Sequence, residues 1–190
     1  MKNKLVTKLS VSLNILLLII LGAITFQTQL YRVHGLQGLD EPNREELFSL
    51  AEKSLQSDDV PVGSLVLYEG RIIGKGYNTV YRDGNICGHA EINALNDAIE
   101  KYGISEFLNL ERDKLEVLST FEPCEMCKGT LNHYRINNLT FMKSKSYGIW
   151  IRNHWASFKY ELTKRKSPGS EMQDSLFMLH PEYPGKNKLN

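Results

Sequence analysis

Cysteine is scarce in this chain: three in 190 residues, Cys87, Cys124 and Cys127. An odd number, with two of them three positions apart, is not a disulfide framework. Net charge is almost absent too, with 23 Lys and Arg against 22 Asp and Glu, a balance of +1. That argues against a large surface tracking nucleic-acid phosphates and leaves room only for a local basic patch. There are no internal repeats and no low-complexity tracts. What is present is ordinary for a folded domain, 42% hydrophobic and 24% charged. The length suits one domain plus an appendage.

The first candidate appendage is N-terminal. Lys2, Lys4 and Lys8 precede an apolar run from Val11 to Phe26, broken only by Ser12, Asn14, Gly22 and Thr25. A signal peptide needs a basic start, an apolar middle and a small-x-small cleavage site. The best cleavage candidate, Ala23-Ile24-Thr25, is poor, and no cysteine follows for lipid modification. An uncleaved membrane anchor is the favoured reading, with a secreted protein the outcome if the segment is cleaved. Basic residues stay on the cytoplasmic side. Three lysines before the run against Arg32 close after it would put the rest of the chain outside the cytoplasm. The organisation expected is a signal-anchor or signal peptide over 1–30, a linker over 31–41, a folded domain over 42–165 and a loose tail over 166–190.

Within that domain Leu47, Leu50, Ala51 and Leu55 lie on one helical face, which predicts a helix over 40–56 capped by Asp40 or Asn43. Ser64 to Tyr68 and Arg71 to Gly74 read as strands joined by Glu69-Gly70. A polar loop over 77–87 leads to a second helix over 89–101, with Ile92, Leu95 and Ile99 facing inward. A connection over 102–114 precedes a strand over 115–121. Pro123 fits the first turn of a third helix. A strand over 139–142 follows, and Trp155, Phe158 and Leu162 mark a fourth helix. Strands alternating with helices predict an α/β layered domain with helices on both faces of a sheet.

The chemistry sits in His89-Ala90-Glu91 and, 35 positions on from His89, in Pro123-Cys124-Glu125-Met126-Cys127. One imidazole and two thiols are the number and type of ligands that a catalytic zinc takes, keeping a fourth position open. Glu91 is then left over to move protons. Residues i and i+2 do not share a helical face, so His89 and Glu91 reach one site only if His89 lies where the helix opens. Cys124 and Cys127, three apart, do share a face, and a helix N-terminus favours their thiolates. A structural zinc knuckle would need a fourth ligand, from Cys87 or His133. Cys87 would compete with His89 for the metal, and His133 falls about half a turn away from Cys124. A redox Cys-x-x-Cys would have no use for His-x-Glu. Taken alone, Glu91 reads as a helix surface residue, Asn78 as a turn residue and Cys87 as a small loop or core residue.

Pro61-Val62-Gly63, Gly74-x-Gly76-x-Asn78, His89-Ala90-Glu91-Ile92, Phe121-Glu122-Pro123-Cys124-Glu125-Met126-Cys127 and Arg135-Ile136 occur in that order. Together they resemble the cytidine and deoxycytidylate deaminase superfamily, nearest its tRNA adenosine deaminase, guanine deaminase and nucleoside deaminase branch. The resemblance covers roughly residues 42–145. It implies a mixed five-stranded sheet sandwiched between helices, one catalytic zinc on His89, Cys124 and Cys127, Glu91 as proton shuttle, and a homodimer. It also implies that Asn78, with Ala90, contacts the bound base or sugar, and that Glu122 is structural.

The expected activity is zinc-dependent hydrolytic deamination of a free nucleobase or nucleoside. Water activated at the zinc attacks C4 of cytosine, C6 of adenine or C2 of guanine, and ammonia leaves. Near-neutral charge favours the small substrate. Deamination within RNA is the alternative, with Lys143, Lys145 and Arg152 as its basic rim. A non-catalytic membrane-tethered zinc domain is the other, and an intact Glu91 argues against it.

Overall fold

The structure, a computed structural model, describes residues 10–25, 39–165 and 170–179. Its sheet starts from a turn. Glu69 and Gly70 both have positive φ, 51° and 76°, as a two-residue hairpin of the right twist requires. They join β1 (Gly63–Tyr68) to β2 (Arg71–Tyr77) in antiparallel register. β3 (Leu115–Phe121) pairs antiparallel with the other edge of β1, and β4 (Asn138–Lys143) pairs parallel with β3. A parallel neighbour needs a crossover, and helix α6 (Glu125–His133) provides it.

The sheet therefore runs β2-β1-β3-β4 and has four strands among the described residues, which corrects the five implied by family resemblance. The reason is visible after β4. Residues from Tyr147 onward carry their aromatics at helical spacing, with no two-residue alternation, and form helix α7 (Tyr147–Thr163) in place of a strand.

Strand alternation sorts the core onto two faces. Leu65, Leu67 and Leu118 meet Leu47 and Leu50 of α2 (Glu41–Leu55). Val66, Leu115 and Val117 meet Ala94, Leu95 and Ala98 of α4 (Ala90–Tyr102), with Leu131 of α6. Asp40 caps α2 by accepting from Asn43 N at 3.2 Å. Leu55, expected on the inward stripe, is 57% exposed. Ser54 takes the buried place beside it and donates to Val62 O at 3.4 Å.

α4 is seated unusually close to the sheet. A Cβ on Gly74 would overlap the Ala94 carbonyl, and one on Gly76 would overlap Ala90 O and Ala94 N. The facing stripe of α4 is Ala90, Ala94 and Ala98, each fully buried, while Ile92 and Ile99 are half-buried. Small residues on both surfaces let the two backbones touch. The connection over 102–114 is not structureless. It holds α5 (Ile104–Asn109), whose Phe107 is fully buried, and a 3-10 turn, Arg112–Lys114.

The chain divides into two compact units, residues 1–145 and 146–190. In the second, α7 has no fully buried residue and stacks its aromatics along its own length: Tyr147 on Trp150 at 5.6 Å and Trp155 near Phe158 at 5.7 Å between ring centroids. The stretch read as a loose tail contains helix α8 (Ser170–Leu179), and the rest of that tail lies outside the described residues.

The membrane reading is overturned. The described part of the N-terminal apolar run is a helix, α1, over residues 10–25. The apolar run from Val11 to Phe26 is sixteen residues, which at 1.5 Å each would reach about 24 Å, short of the roughly 30 Å hydrocarbon core. No helix among the described residues is long and apolar enough to cross a membrane. The signal-anchor, the membrane partner and the extracytoplasmic placement argued from Lys2, Lys4, Lys8 and Arg32 lose their basis with it. The expected linker falls largely on residues 31–38, outside those described.

Candidate active site

Two helix starts converge on the same point. His89 is the N-cap of α4, with extended backbone (φ −80°, ψ 151°), so its side chain leaves the chain before the helical spiral begins. Glu91, two residues on, is inside the first turn. That offset resolves the i, i+2 problem posed by the sequence. Cys124 is the N-cap of α6 and Cys127 lies in its first turn. Pro123 therefore stands one residue before the cap rather than in the first turn.

The three donor atoms form one cluster. His89 Nδ1 lies 3.5 Å from Cys124 Sγ and 3.6 Å from Cys127 Sγ, and the two sulfurs are 3.6 Å apart. A tetrahedral zinc with Zn–S of about 2.3 Å and Zn–N of about 2.1 Å requires S···S of about 3.8 Å and S···N of about 3.6 Å. The donor set and its spacing fit a zinc ion. It is the one group of three or more such donors among the described residues. Neither alternative fourth ligand joins it: Cys87 is an exposed free thiol, and His133 is exposed with its ring against Tyr134.

Electrostatics agree with the metal-ligand chemistry. A hydrogen bond with the Cys127 sulfur is the largest influence bringing Cys124 down to about 5, against burial, with help from the first-turn N–H groups of Cys127 and Met126. This is the stabilisation of a thiolate by a helix N-terminus. The same sulfur–sulfur bond, then burial and the neighbouring Glu91 carboxylate, raise Cys127. A divalent cation between the two sulfurs favours both thiolates.

Glu91 is 3% exposed and accepts a hydrogen bond from Ser119 Oγ at 3.0 Å. It lines a pocket of about 350 Å³ together with His89 and Cys124. Val60, Val62 and Phe121 supply apolar wall, Tyr81 stands at the pocket 75% exposed, and Lys145 closes one side. Asn78 and Ala90 line it as well. Asn78 is 7% exposed, and the amide orientation that satisfies both its ends donates to Gly88 O at 2.9 Å and accepts from Val60 N at 3.3 Å.

Asn93 and Asp59 escaped the sequence reading, whereas Glu122 was expected there as a structural residue. Asn93 Nδ2 reaches Tyr77 O at 2.8 Å, Thr79 Oγ1 at 3.0 Å and Gly88 O at 3.3 Å, tying the end of β2 to the residue before His89. Asp59 accepts from the N–H groups of Tyr81 (2.8 Å) and Arg82 (3.1 Å), which start the short helix α3 (Val80–Asp83). Glu122 accepts from Lys145 N at 2.9 Å and pairs with Lys128 at 3.1 Å, bracing the approach to Cys124. For Ser119 there was a signal: it occupies the place after Leu115 and Val117 where strand alternation calls for a third apolar residue.

An α/β sheet covered by helices on both faces, with two helix starts bringing one nitrogen and two sulfurs beside a buried carboxylate, defines a zinc-binding α/β domain. The chain belongs to the cytidine and deoxycytidylate deaminase zinc-binding family, whose model matches residues 40–143. Zinc is accordingly its cofactor. Over 97 residues it is 33% identical to a tRNA-specific adenosine deaminase of Streptococcus pyogenes, covering 51% of this chain and 58% of that protein. Over 103 residues it is 36% identical to tRNA-specific adenosine deaminase 2 of Danio rerio, covering 53% of this chain and 48% of that one. The chain spans about half the length of these curated relatives. Its fold is similar to that of guanine deaminase from Bacillus subtilis, with a TM-score of 0.55 and 21% identity over 77% of this chain and 99% of the other.

Proposed function

We propose that this protein hydrolytically deaminates a free nucleobase or nucleoside. The observation that carries the reading is the Glu91 carboxylate, 3% exposed yet lining the pocket beside the His89, Cys124 and Cys127 donors. A zinc held by those three residues would supply a Lewis acid that lowers the pKa of a water far below its bulk value, to roughly 7. The remaining work belongs to side chains. Glu91 takes a proton from the attacking water at a carboxylate oxygen. It delivers that proton to the ring nitrogen beside the attacked carbon, then takes the proton of the hydroxyl now on that carbon and gives it to the departing amine. Ammonia leaves and a ring carbonyl remains. One carboxyl serves both transfers because it changes protonation between them.

Binding follows from the rest of the pocket. Val60, Val62 and Phe121 offer apolar surface to the faces of a flat ring. Asn78 has a second N–H and a second lone pair beyond those held by Gly88 O and Val60 N, and uses them on the base or sugar. Ala90 stands where helix N–H groups have no intrahelical acceptor. A cavity of about 350 Å³ falls in the range for small-molecule sites. Lys145 is the one basic residue lining it, and its amine is already bonded to Pro123 O.

Deamination of adenosine within tRNA is the second reading, favoured by what the two curated relatives are named for. The deciding experiment is an ammonia-release assay on zinc-loaded protein with adenine, guanine, cytosine, their nucleosides and tRNA. Turnover of a base or nucleoside supports the proposal. Turnover of tRNA alone, with tight binding at physiological salt, replaces it with the second reading. A zinc-loaded protein releasing ammonia from none of them refutes both.

A further inference from the structure

We propose that Ser119 is a positioning residue for Glu91: its hydroxyl fixes one carboxylate oxygen so that the other does the proton transfer. The inference rests on the deaminase reading above and adds a residue to it.

The argument begins with register. Along β3, Leu115, Val117 and Ser119 point to the same face of the sheet, the face covered by α4. Leu115 and Val117 are fully buried in the apolar core there, and Ser119 is fully buried one step further on. A hydroxyl in that place needs a partner. Its partner is Glu91 Oε1, at 3.0 Å, from a helix 28 residues earlier in the chain.

The residue beside it shows that burial alone does not demand such a partner. Ser64 of β1 pairs directly with Ser119 across the ladder and is equally buried. Its hydroxyl donates at 2.8 Å to the Leu118 carbonyl, a backbone acceptor within the sheet. Two buried serines thus sit side by side. One is satisfied locally, and the other reaches off the sheet to the carboxylate in the pocket wall.

The consequence is geometric. A free glutamate side chain samples several rotamers, and rate depends on holding the reacting oxygen in place. A hydrogen bond to Oε1 removes rotation of the carboxylate plane and assigns the two oxygens different tasks. Groups that orient a reacting or metal-bound residue typically alter activity about 10–100-fold when removed.

The test compares zinc-loaded parent, Ser119→Ala, Ser119→Thr, Glu91→Gln and the double variant S119A/E91Q. Each is measured for zinc content, thermal unfolding, and kcat and KM on the substrate found in the ammonia screen. Ser119→Ala is expected to keep zinc at the parent level and lower kcat about 10–100-fold. KM should stay within about two-fold, as for an interaction made only in the transition state. Ser119→Thr, which restores a hydroxyl, should recover most of that loss. In the Glu91→Gln background Ser119→Ala should cost nothing more, because both changes act through one group. An equal further loss in that background, or a loss residing in KM, overturns the proposal. If the screen finds no substrate, the deaminase reading fails and the thermal cycle of Ser119→Ala with Glu91→Ala decides the rest. Strongly coupled shifts in Tm support the link, and additive shifts overturn it.

Discussion

The starts of α4 and α6 do the same thing by different means. Each helix opens on an N-cap residue that makes no side-chain capping bond, His89 in one and Cys124 in the other. Each sends a second site residue from its first turn, Glu91 and Cys127. The first-turn N–H groups of both helices have no intrahelical acceptor, and those of Met126 and Cys127 help lower the Cys124 thiol. The difference lies in how each start is held. α4 lies backbone to backbone on β2 across Gly74 and Gly76, and Asn93 ties its entry to the end of that strand. α6 is held at its entry by buried Pro123 and by Glu122 with Lys128 and Lys145. Ligands need only to be near one another, because the ion itself gathers them. A proton carrier gains no such help, and Glu91 is on the helix whose seat is the tighter.

The sharpest way to break this comparison is at Glu91. Glu91→Gln keeps the shape and the Ser119 contact and removes the ability to exchange a proton. Turnover is expected to fall about 10²–10⁴-fold or more, since one group acts twice. Zinc content and unfolding temperature should stay close to the parent values. A near-normal rate would place the proton carrier elsewhere. On the α6 side the expected loss is of metal. Cys124→Ala should take zinc from about one ion per chain to a small fraction of that, with a drop in stability, because binding is linked to folding. Full zinc by elemental analysis would remove Cys124 from the ligand set.

How much of this was legible in the sequence follows the range of the interactions. β3 was read to the residue, and the hairpin turn was placed at Glu69 and Gly70, because period-two alternation and turn chemistry are local. His89 had to sit at a helix opening for His89 and Glu91 to share a site, and it does. The fifth strand came from resemblance, while the residues themselves offered four strand-like runs; the residues were the better guide. The membrane anchor rested on a sixteen-residue apolar run and its flanking lysines, at the short edge of what a span requires. Inward-facing Ile92 and Ile99 were chosen by size, yet alanines face the sheet because Gly74 and Gly76 leave space only for them. Asp59, Asn93 and Ser119 act across 22, 14 to 16 and 28 residues of sequence. No local period announces such bonds.

Gly74 tests the tighter seat directly. Gly74→Ala places a methyl on the Ala94 carbonyl, with Ala98 Cβ at 2.9 Å as well. α4 must lift off β2, at about 1–3 kcal/mol for forced overpacking. The unfolding temperature should fall, and because His89 and Glu91 ride on the same helix, zinc affinity and kcat should fall with it. A control at Gly129, where a Cβ meets nothing within 4 Å, should leave zinc and rate near those of the parent. Equal effects at the two positions would mean that the close approach does not matter to the site.

The smallest effect is expected at a third helix start. α3 also opens on a residue without a side-chain capping bond, Thr79, but here the vacancy is filled from elsewhere in the chain. Asp59 accepts from Tyr81 N, Arg82 N and Ser57 Oγ. Burial works to raise the Asp59 pKa, yet these hydrogen bonds outweigh it and the carboxyl lies below its ordinary value. A depressed folded-state pKa contributes stability that is complete above the unfolded value, about 3.9, and is lost as pH falls through the folded one. Asp59→Asn should therefore lower Tm modestly at pH 7, with the gap to the parent closing as the pH drops below about 4. Since Asp59 orders the segment bearing Tyr81 at the pocket, KM should rise while kcat and zinc content hold. A Tm difference that is unchanged down to acid pH would show that the charge on Asp59 is not what closes this helix start.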